Sequence, residues 1–341
     1  MKEIRWGIIG CGNVTEKKSG PAFQKANGSN LVAVMRRNEE KVRDYALRHN
    51  VPKWYTNGNQ LIDDKDVDAV YIATPPGTHA TYAISAMRAG KPVYVEKPMA
   101  LNFKECEEMN RVSMETGVPL FVAYYRRTLP GFLKVKEWID SGAIGFVRFV
   151  RISLTQPFFP GDLEPENKEW WRIIPEIAGG GHFFDLASHQ LDYLDFVFGP
   201  VSKTEGLAKN QGGKYRSEDI VAAHFEFNNG VIGSGTWCFT ADPVAEEDQL
   251  EFIGNKGKII FSTYNVISPR LITQAGIETF KYKNPDNIQL NLVQSIVDEL
   301  LNKGKCPSNG ISAARTSKVM DEIVRSYYAK NRNNNKSEKC E

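Results

Sequence analysis

A short, mostly apolar run, Ile4–Ile9, passes straight into Gly10-Cys11-Gly12-Asn13-Val14-Thr15, and this junction limits the fold more than any other feature of the chain. The first glycine permits a tight turn. The second lets the backbone approach a pyrophosphate, which the following helix would meet with its N-terminal amides. A plain strand–helix turn is the competing reading. Thr15 stands where such loops usually carry glycine or alanine, which predicts looser packing of helix against strand. Further apolar runs follow at Leu31–Val34, Ala69–Ala73, Pro92–Val95 and Leu120–Ala123, separated by helical patterns such as Glu40–His49 and Thr78–Ala89. Strands alternating with helices predict a parallel sheet with right-handed crossovers. The fold class is therefore α/β, with a doubly wound Rossmann domain over residues 1–123. Its dinucleotide contacts fall on Gly10, Gly12, Asn13 and Val14.

The pattern changes after Gly145. Phe146–Leu154, Ile220–Phe227, Val231–Phe239, Gln249–Ile253 and Lys258–Ser262 alternate as half-buried strands, broken by turns such as Asn228-Asn229-Gly230 and Gly254-Asn255-Lys256-Gly257. Links this short join antiparallel strands. Residues 124–330 are read as an α+β domain with a large, mostly antiparallel open sheet for substrate binding and oligomerisation. Two helices close the chain, on a stripe from Leu292 to Leu301 and over Ala313–Tyr328. The second, spanning 312–330, is expected to pack back on the first domain, and the polar tail 331–341 to be disordered.

Composition removes several function classes. The 43 basic and 41 acidic residues leave a formal charge of +2, which offers nothing to a nucleic acid or a membrane surface. No apolar run approaches the ~18 residues that span a bilayer. Five cysteines, Cys11, Cys106, Cys238, Cys306 and Cys340, form no close pair and suit reduced thiols in the cytoplasm.

The second strand decides between the two nicotinamide cofactors. An acidic residue at its end binds the ribose 2′-hydroxyl of NAD, whereas arginine accommodates the 2′-phosphate of NADP. Here the strand ends in Arg36-Arg37, so NADP(H) is expected over NAD(H), with two solvated arginines as the alternative. Thr74-Pro75-Pro76 turns the chain at the carboxyl edge of the third apolar strand, Thr78 is a candidate N-cap, and His79 is structural or a neighbour of the cofactor ribose. Glu96-Lys97-Pro98 ends another strand at the same edge. Pro98 keeps Lys97 out of helical geometry, so its ammonium projects into the crevice.

Gly179-Gly180-Gly181 precedes His182, Asp185 and His189 on a helical pattern. Asp185 and His189, four apart, share a face, with Tyr193 one turn on. The glycines are read as removing bulk where a ligand approaches. His182 near that face raises a metal-binding rival. Zinc catalysis needs three protein ligands and an open position, so no metal is expected. Tyr125, Arg126, Trp171 and Arg172, with Phe158 and Phe159, are read as substrate-cleft residues for a hydroxylated ring or, equally, as core and ion-pair surface. Lys17 and Lys18 fit a solvated face or an anion.

From the glycine loop to the last helices, these residues resemble the Gfo/Idh/MocA oxidoreductase family, which includes glucose–fructose oxidoreductases and inositol dehydrogenases. Glu96-Lys97-Pro98 and the triple glycine followed by Asp185 and His189 carry the resemblance most specifically. It implies that Lys97 is a catalytic lysine near the nicotinamide and the substrate hydroxyl, that Asp185 holds substrate and that His189 is the general acid/base. It also implies an open sheet that buries itself in a homodimer or homotetramer. The chemistry agrees: alcohol oxidation removes a hydride and a proton, imidazole can take that proton near pH 7, and an ammonium can stabilise the developing alkoxide. The expected activity is NAD(P)-dependent hydride transfer to or from a secondary alcohol or carbonyl of a sugar, sugar derivative or cyclitol. Two alternatives stand: a non-catalytic cofactor-bound sensor, and a hydrolase or lyase that uses tightly bound cofactor for transient oxidation.

Overall fold

The computed structural model describes residues 3–164, 170–265 and 267–337. The chain divides into two compact units, Met1–Leu129 with Lys283–Ala314, and Pro130–Tyr282 with Arg315–Glu341.

The first unit is built on β1 (Ile4–Ile9), β2 (Ser29–Met35), β3 (Lys53–Tyr55), β4 (Ala69–Ile72), β5 (Val93–Val95) and β6 (Leu120–Val122). They lie in the order β3-β2-β1-β4-β5-β6, and every neighbouring pair is parallel. The order reverses between β1 and β4, so the turns that leave these two strands frame the switch point where open α/β sheets take ligands. β4, β5 and β6 are buried throughout, the mark of strands covered on both faces. The three-residue edge strand β3, which exposes Trp54, had no apolar run to announce it.

The expected boundary at 123 moves because a distant segment returns. Ser308 donates its hydroxyl hydrogen to the Val122 carbonyl at 2.7 Å, and Arg127 donates to the Pro307 carbonyl at 2.9 Å. Asn291 donates to the Thr128 carbonyl at 3.1 Å. The 3-10 turn Tyr125–Thr128 is thereby held in the first unit.

The second unit carries β7 (Val147–Pro157), β8 (Val201–Lys209), β9 (Ile220–Phe227), β10 (Ile232–Ala241), β11 (Glu247–Gly254), β12 (Gly257–Phe261), β13 (Arg270–Thr273) and β14 (Gly276–Thr279), in the order β14-β13-β12-β11-β7-β10-β9-β8. All neighbours are antiparallel except β7 and β10, which run parallel. One face is packed: along β9, Val221, Ala223, Phe225 and Phe227 turn inward while Ala222 and His224 face solvent. The helix Ser188–Phe198 covers the inner face, setting Tyr193 edge-on against Phe132, Phe252 and Phe261. The edge strand β14 is exposed at every residue and β8 at most of its residues. With β13, they lack the buried alternation by which sequence reading finds strands.

The last helix runs Gly310–Ser337. Its residues to Ala314 group with the first unit and those from Arg315 on with the second. Arg315 grips both Asp195 oxygens at 2.7 Å, and a Cβ on Gly206 would lie 2.6 Å from Ile323 Cγ2. The helix continues to Ser337 through the segment expected to be disordered from 331, and 338–341 lie outside the described residues.

Candidate active site

On the first unit, Gly10 leaves β1 with φ +95°, and a Cβ there would lie 2.8 Å from both the Ala73 backbone carbon and Thr74 Cγ2. The β1 turn is therefore pressed against the β4 turn at the switch point, an approach only glycine allows. Gly12 differs. A Cβ there would meet nothing nearer than the Gly10 carbonyl at 3.9 Å, and the helix Asn13–Lys17 begins without a side-chain cap on Gly12. Open space before uncapped amides fits the pyrophosphate of a dinucleotide, with Gly12, Asn13 and Val14 around it.

Thr15 does not loosen this turn. It is fully buried, its hydroxyl donates to the Gly12 carbonyl at 2.8 Å, and its own carbonyl accepts the Tyr45 hydroxyl hydrogen at 2.9 Å. The next helix, Gly20–Lys25, comes so close that a Cβ on Gly20 would stand 2.1 Å from the Thr15 oxygen. Glu16 anchors the turn from outside, accepting from two Arg48 nitrogens and pairing with His49 Nε2, all at 2.9 Å. Those contacts, Arg48 first, hold its carboxyl at about 2. Arg36 reaches back to donate from Nη1 to the Cys11 carbonyl at 3.2 Å, which places a guanidinium over the glycine turn. Arg37, Lys17 and Lys18 are exposed.

The β4 turn corrects two expectations. Thr78 does not cap the helix His79–Arg88, because its hydroxyl donates to Thr74 Oγ1 at 2.7 Å. His79 is fully buried, with Nε2 2.7 Å from the Thr74 carbonyl and Nδ1 3.0 Å from the Pro98 carbonyl. Burial lowers its pKa from the ordinary value. It straps the turn that carries Thr74, Pro75 and Pro76 to the turn after Lys97, and has no surface with which to touch a ribose.

Glu96 also faces inward. Its Oε1 accepts from the Tyr71 hydroxyl at 2.5 Å and from Gln289 Nε2 at 2.6 Å, and its Oε2 accepts the Lys97 backbone N–H at 3.2 Å. Tyr94 donates to Gln289 Oε1 at 2.6 Å, which orients that amide. A buried carboxylate with three donors is satisfied and fixed, so Glu96 seats Lys97 and turns no oxygen to a ligand. Lys97 itself is partly buried at the end of β5, before a cis Lys97–Pro98 peptide. Tyr125 and Arg126, also on this unit, are buried, with the guanidinium 5.1 Å from the tyrosine ring centre.

On the second unit, the helical pattern from His182 is not one continuous α-helix. Phe183–Ala187 is a π-turn, a widening common at functional sites, and the α-helix starts at Ser188. Asp185 lies on the π-turn, its Oδ2 3.0 Å from Arg172 Nε, and Arg172 stands 5.3 Å from the Trp171 ring centre. His189 is 3% exposed, its ring edge-on to Tyr264 with centroids 6.3 Å apart. Tyr193 is structural: its hydroxyl donates to the Phe132 carbonyl at 2.7 Å. His182 pairs with the buried Asp162 at 2.8 Å. Among the described residues no group of three His, Cys, Asp or Glu side chains could hold a metal ion.

Gly180 and Gly181 open no space for a ligand. A Cβ on Gly180 would lie 2.1 Å from the Phe184 ring, and one on Gly181 would lie 2.6 Å from Ser217 Oγ and 2.8 Å from the Glu218 carbonyl. The Gly181 N–H goes to Glu218 Oε1 at 2.9 Å, and burial raises the pKa of that carboxyl. Asp162, Tyr71 and Gln289 escaped the sequence reading, the last two because their partner Glu96 lies 25 and 193 residues away.

A Rossmann unit with an open glycine turn and an arginine across it, joined to an open-sheet unit, defines the class of two-unit NAD-binding oxidoreductases. Residues 4–124 match the sequence profile of the Gfo/Idh/MocA oxidoreductase family, NAD-binding Rossmann fold, and residues 132–260 match the Gfo/Idh/MocA C-terminal domain. Oxidoreductase P35 of Formosa agariphila is 43% identical over 93% of this chain and 97% of its own length. The 1,5-anhydro-D-fructose reductase of Ensifer adhaerens is 29% identical over 83% of this chain and 80% of its own. The fold matches that of a levoglucosan dehydrogenase solved with NADH and L-sorbose, with a TM-score of 0.85 at 24% identity over 96% of this chain and 97% of that one. The chain belongs to the Gfo/Idh/MocA family and is an NAD(P)-dependent oxidoreductase.

Proposed function

We propose that this enzyme transfers a hydride between nicotinamide and a secondary alcohol or carbonyl of a sugar, sugar derivative or cyclitol, and favours NADP(H) over NAD(H). The observation that carries the reading is the seating of Lys97 by buried Glu96 at the end of β5 on the first unit, and Asp185 and His189 on the π-turn and the following helix of the second unit support it. Relatives named 1,5-anhydro-D-fructose reductase and myo-inositol 2-dehydrogenase support the substrate class. The Arg36 guanidinium over the glycine turn supports the 2′-phosphate.

The nicotinamide, when bound, supplies or accepts the hydride. The chain's residues manage the oxygen and its proton. His189 takes the proton of the substrate hydroxyl during oxidation and returns it during reduction. The Lys97 ammonium stabilises the charge that develops on that oxygen. Asp185, held by Arg172, binds substrate. Trp171 supplies an aromatic face for the ring, and Tyr125 and Arg126 complete the substrate contacts. The scattered cysteines favour a cytoplasmic enzyme. Leu207 (71% exposed) and Ile232 (58%) project from the uncovered sheet face, through which the chain forms a homodimer or homotetramer.

A nicotinamide absorbance screen of NADP⁺ and NAD⁺ against sugars, cyclitols and their phosphates tests the reading. Net cofactor reduction with a polyol is the expected result. Silence across the panel with cofactor bound overturns it, in favour of a sensor or of transient oxidation.

A further inference from the structure

A second imidazole–carboxylate pair stands on the same helical run as Asp185 and His189 and has no part in that chemistry. His182 opens the π-turn in helical conformation, at φ −57° and ψ −24°. It precedes Asp185 by three residues and His189 by seven, with the π-turn between it and the α-helix. Its Nε2 lies 2.8 Å from Oδ2 of Asp162, whose side chain is 7% exposed. In the neutral ring, a carboxylate at that distance selects the tautomer with the hydrogen on Nε2, which donates to Asp162 and leaves Nδ1 its lone pair. Nδ1 makes no hydrogen bond to the described residues, and the side chain remains 16% exposed.

Around this ring the walls are aromatic. The Phe239 centroid is 5.5 Å and the Tyr215 centroid 6.0 Å from the imidazole, and Phe158 stands 6.4 Å from Tyr215. The Tyr215 hydroxyl is buried and has no hydrogen-bond partner among the described residues. Burial, then the charges of Asp219, Glu218 and Asp162, raises its pKa, so it keeps its hydrogen. An acceptor and a donor left over beside each other, between aromatic faces, match the two-way hydrogen bonding of an alcohol on a ring. The same short stretch of chain serves both polar pairs: Asp162 comes from the 3-10 turn Pro160–Leu163, and Arg172, which holds Asp185, comes from Trp170–Ile173.

We propose that His182, oriented by Asp162, is a specificity-determining residue that accepts a hydrogen bond from a ring hydroxyl of the polyol other than the one oxidised. This rests on the reading of the chain as a polyol oxidoreductase.

The test uses His182→Gln, which retains a donor for Asp162 and has no acceptor at the Nδ1 position, and His182→Asn, which retains an acceptor near that position. The probes are D-glucose, D-xylose, myo-inositol and their monodeoxy analogues, with binding read by saturation-transfer NMR in the presence of cofactor, beside turnover. His182→Gln raises KM and Kd for the preferred ring about tenfold or more. It leaves kcat within about threefold, and the cofactor Kd and the Tm unchanged. His182→Asn recovers part of the loss. One monodeoxy analogue weakens wild type by the same factor and weakens His182→Gln no further. Unchanged polyol binding in His182→Gln, or a penalty that adds fully to that of every deoxy analogue, overturns the proposal. If polyols bind and His182→Gln weakens them but none turns over, the enzymatic reading fails while this one stands. If wild type binds no polyol, both fail.

Discussion

Gly10–Gly12 and Gly179–Gly181 look alike as sequence and do opposite work. Gly12 faces open space, with its nearest would-be Cβ neighbour at 3.9 Å, whereas Gly180 and Gly181 are filled by Phe184, Ser217 and Glu218 at 2.1 to 2.8 Å. Gly12 keeps room outside the protein for a phosphate. The second run lets protein close on itself behind the π-turn, so that the element carrying Asp185 and His189 is seated on a buried wall. A glycine run marks a ligand only where its missing side chains leave emptiness. Beside a strand or a buried carboxylate it marks packing.

The contrast breaks first at Gly181. Alanine there drives a methyl into Ser217 and the Glu218 backbone, and stability falls by about 3 kcal/mol, read as a drop in Tm. An unchanged Tm would show that the wall behind the π-turn is not closed. Gly12→Ala should do the reverse: Tm holds, and the Kd of NADP⁺ by calorimetry rises about tenfold or more, since the methyl occupies only the phosphate's space. Equal losses of stability and affinity would erase the distinction. Arg36→Asp sharpens the cofactor side, lowering kcat/KM for NADP⁺ relative to NAD⁺ by about tenfold. Comparable values for both cofactors in wild type, unmoved by the substitution, contradict the assignment.

The smallest effect is on the clamp behind the glycine turn. Arg48 and then His49 hold the Glu16 carboxyl at about 2, below its ordinary 4.5. A depressed carboxyl stabilises the fold fully above its unfolded value, and that contribution disappears as pH falls through the folded one. The Tm gap between wild type and Glu16→Gln should stay constant above about pH 5 and close as pH approaches 2. A gap that persists in acid would assign the clamp to packing rather than charge.

Local signals were legible and remote ones were not. The strand–glycine–helix junction, the apolar runs of β1, β2, β4, β5 and β6, and the alternation of β7 and β9 to β12 announced both sheets. β3, β8, β13 and β14 did not, because edge strands bury too little to show a pattern. At the site, Lys97 was visible from its place before Pro98, but the hold of Gln289 on Glu96 was not, since Gln289 lies on a segment that returns 193 residues later. Of the two readings of His79, structural or a ribose neighbour, both of its nitrogens standing against nearby backbone carbonyls favour the structural one. The triple glycine misled because spacing reveals where bulk is missing and not what fills the gap.

The most direct test is the turnover of Lys97→Ala and His189→Ala on the best polyol that wild type accepts, with cofactor Kd and Tm measured on each variant. Each should lose about 10²–10⁴-fold in kcat while Kd and Tm hold. Near-wild-type turnover in either variant would contradict its place in the chemistry.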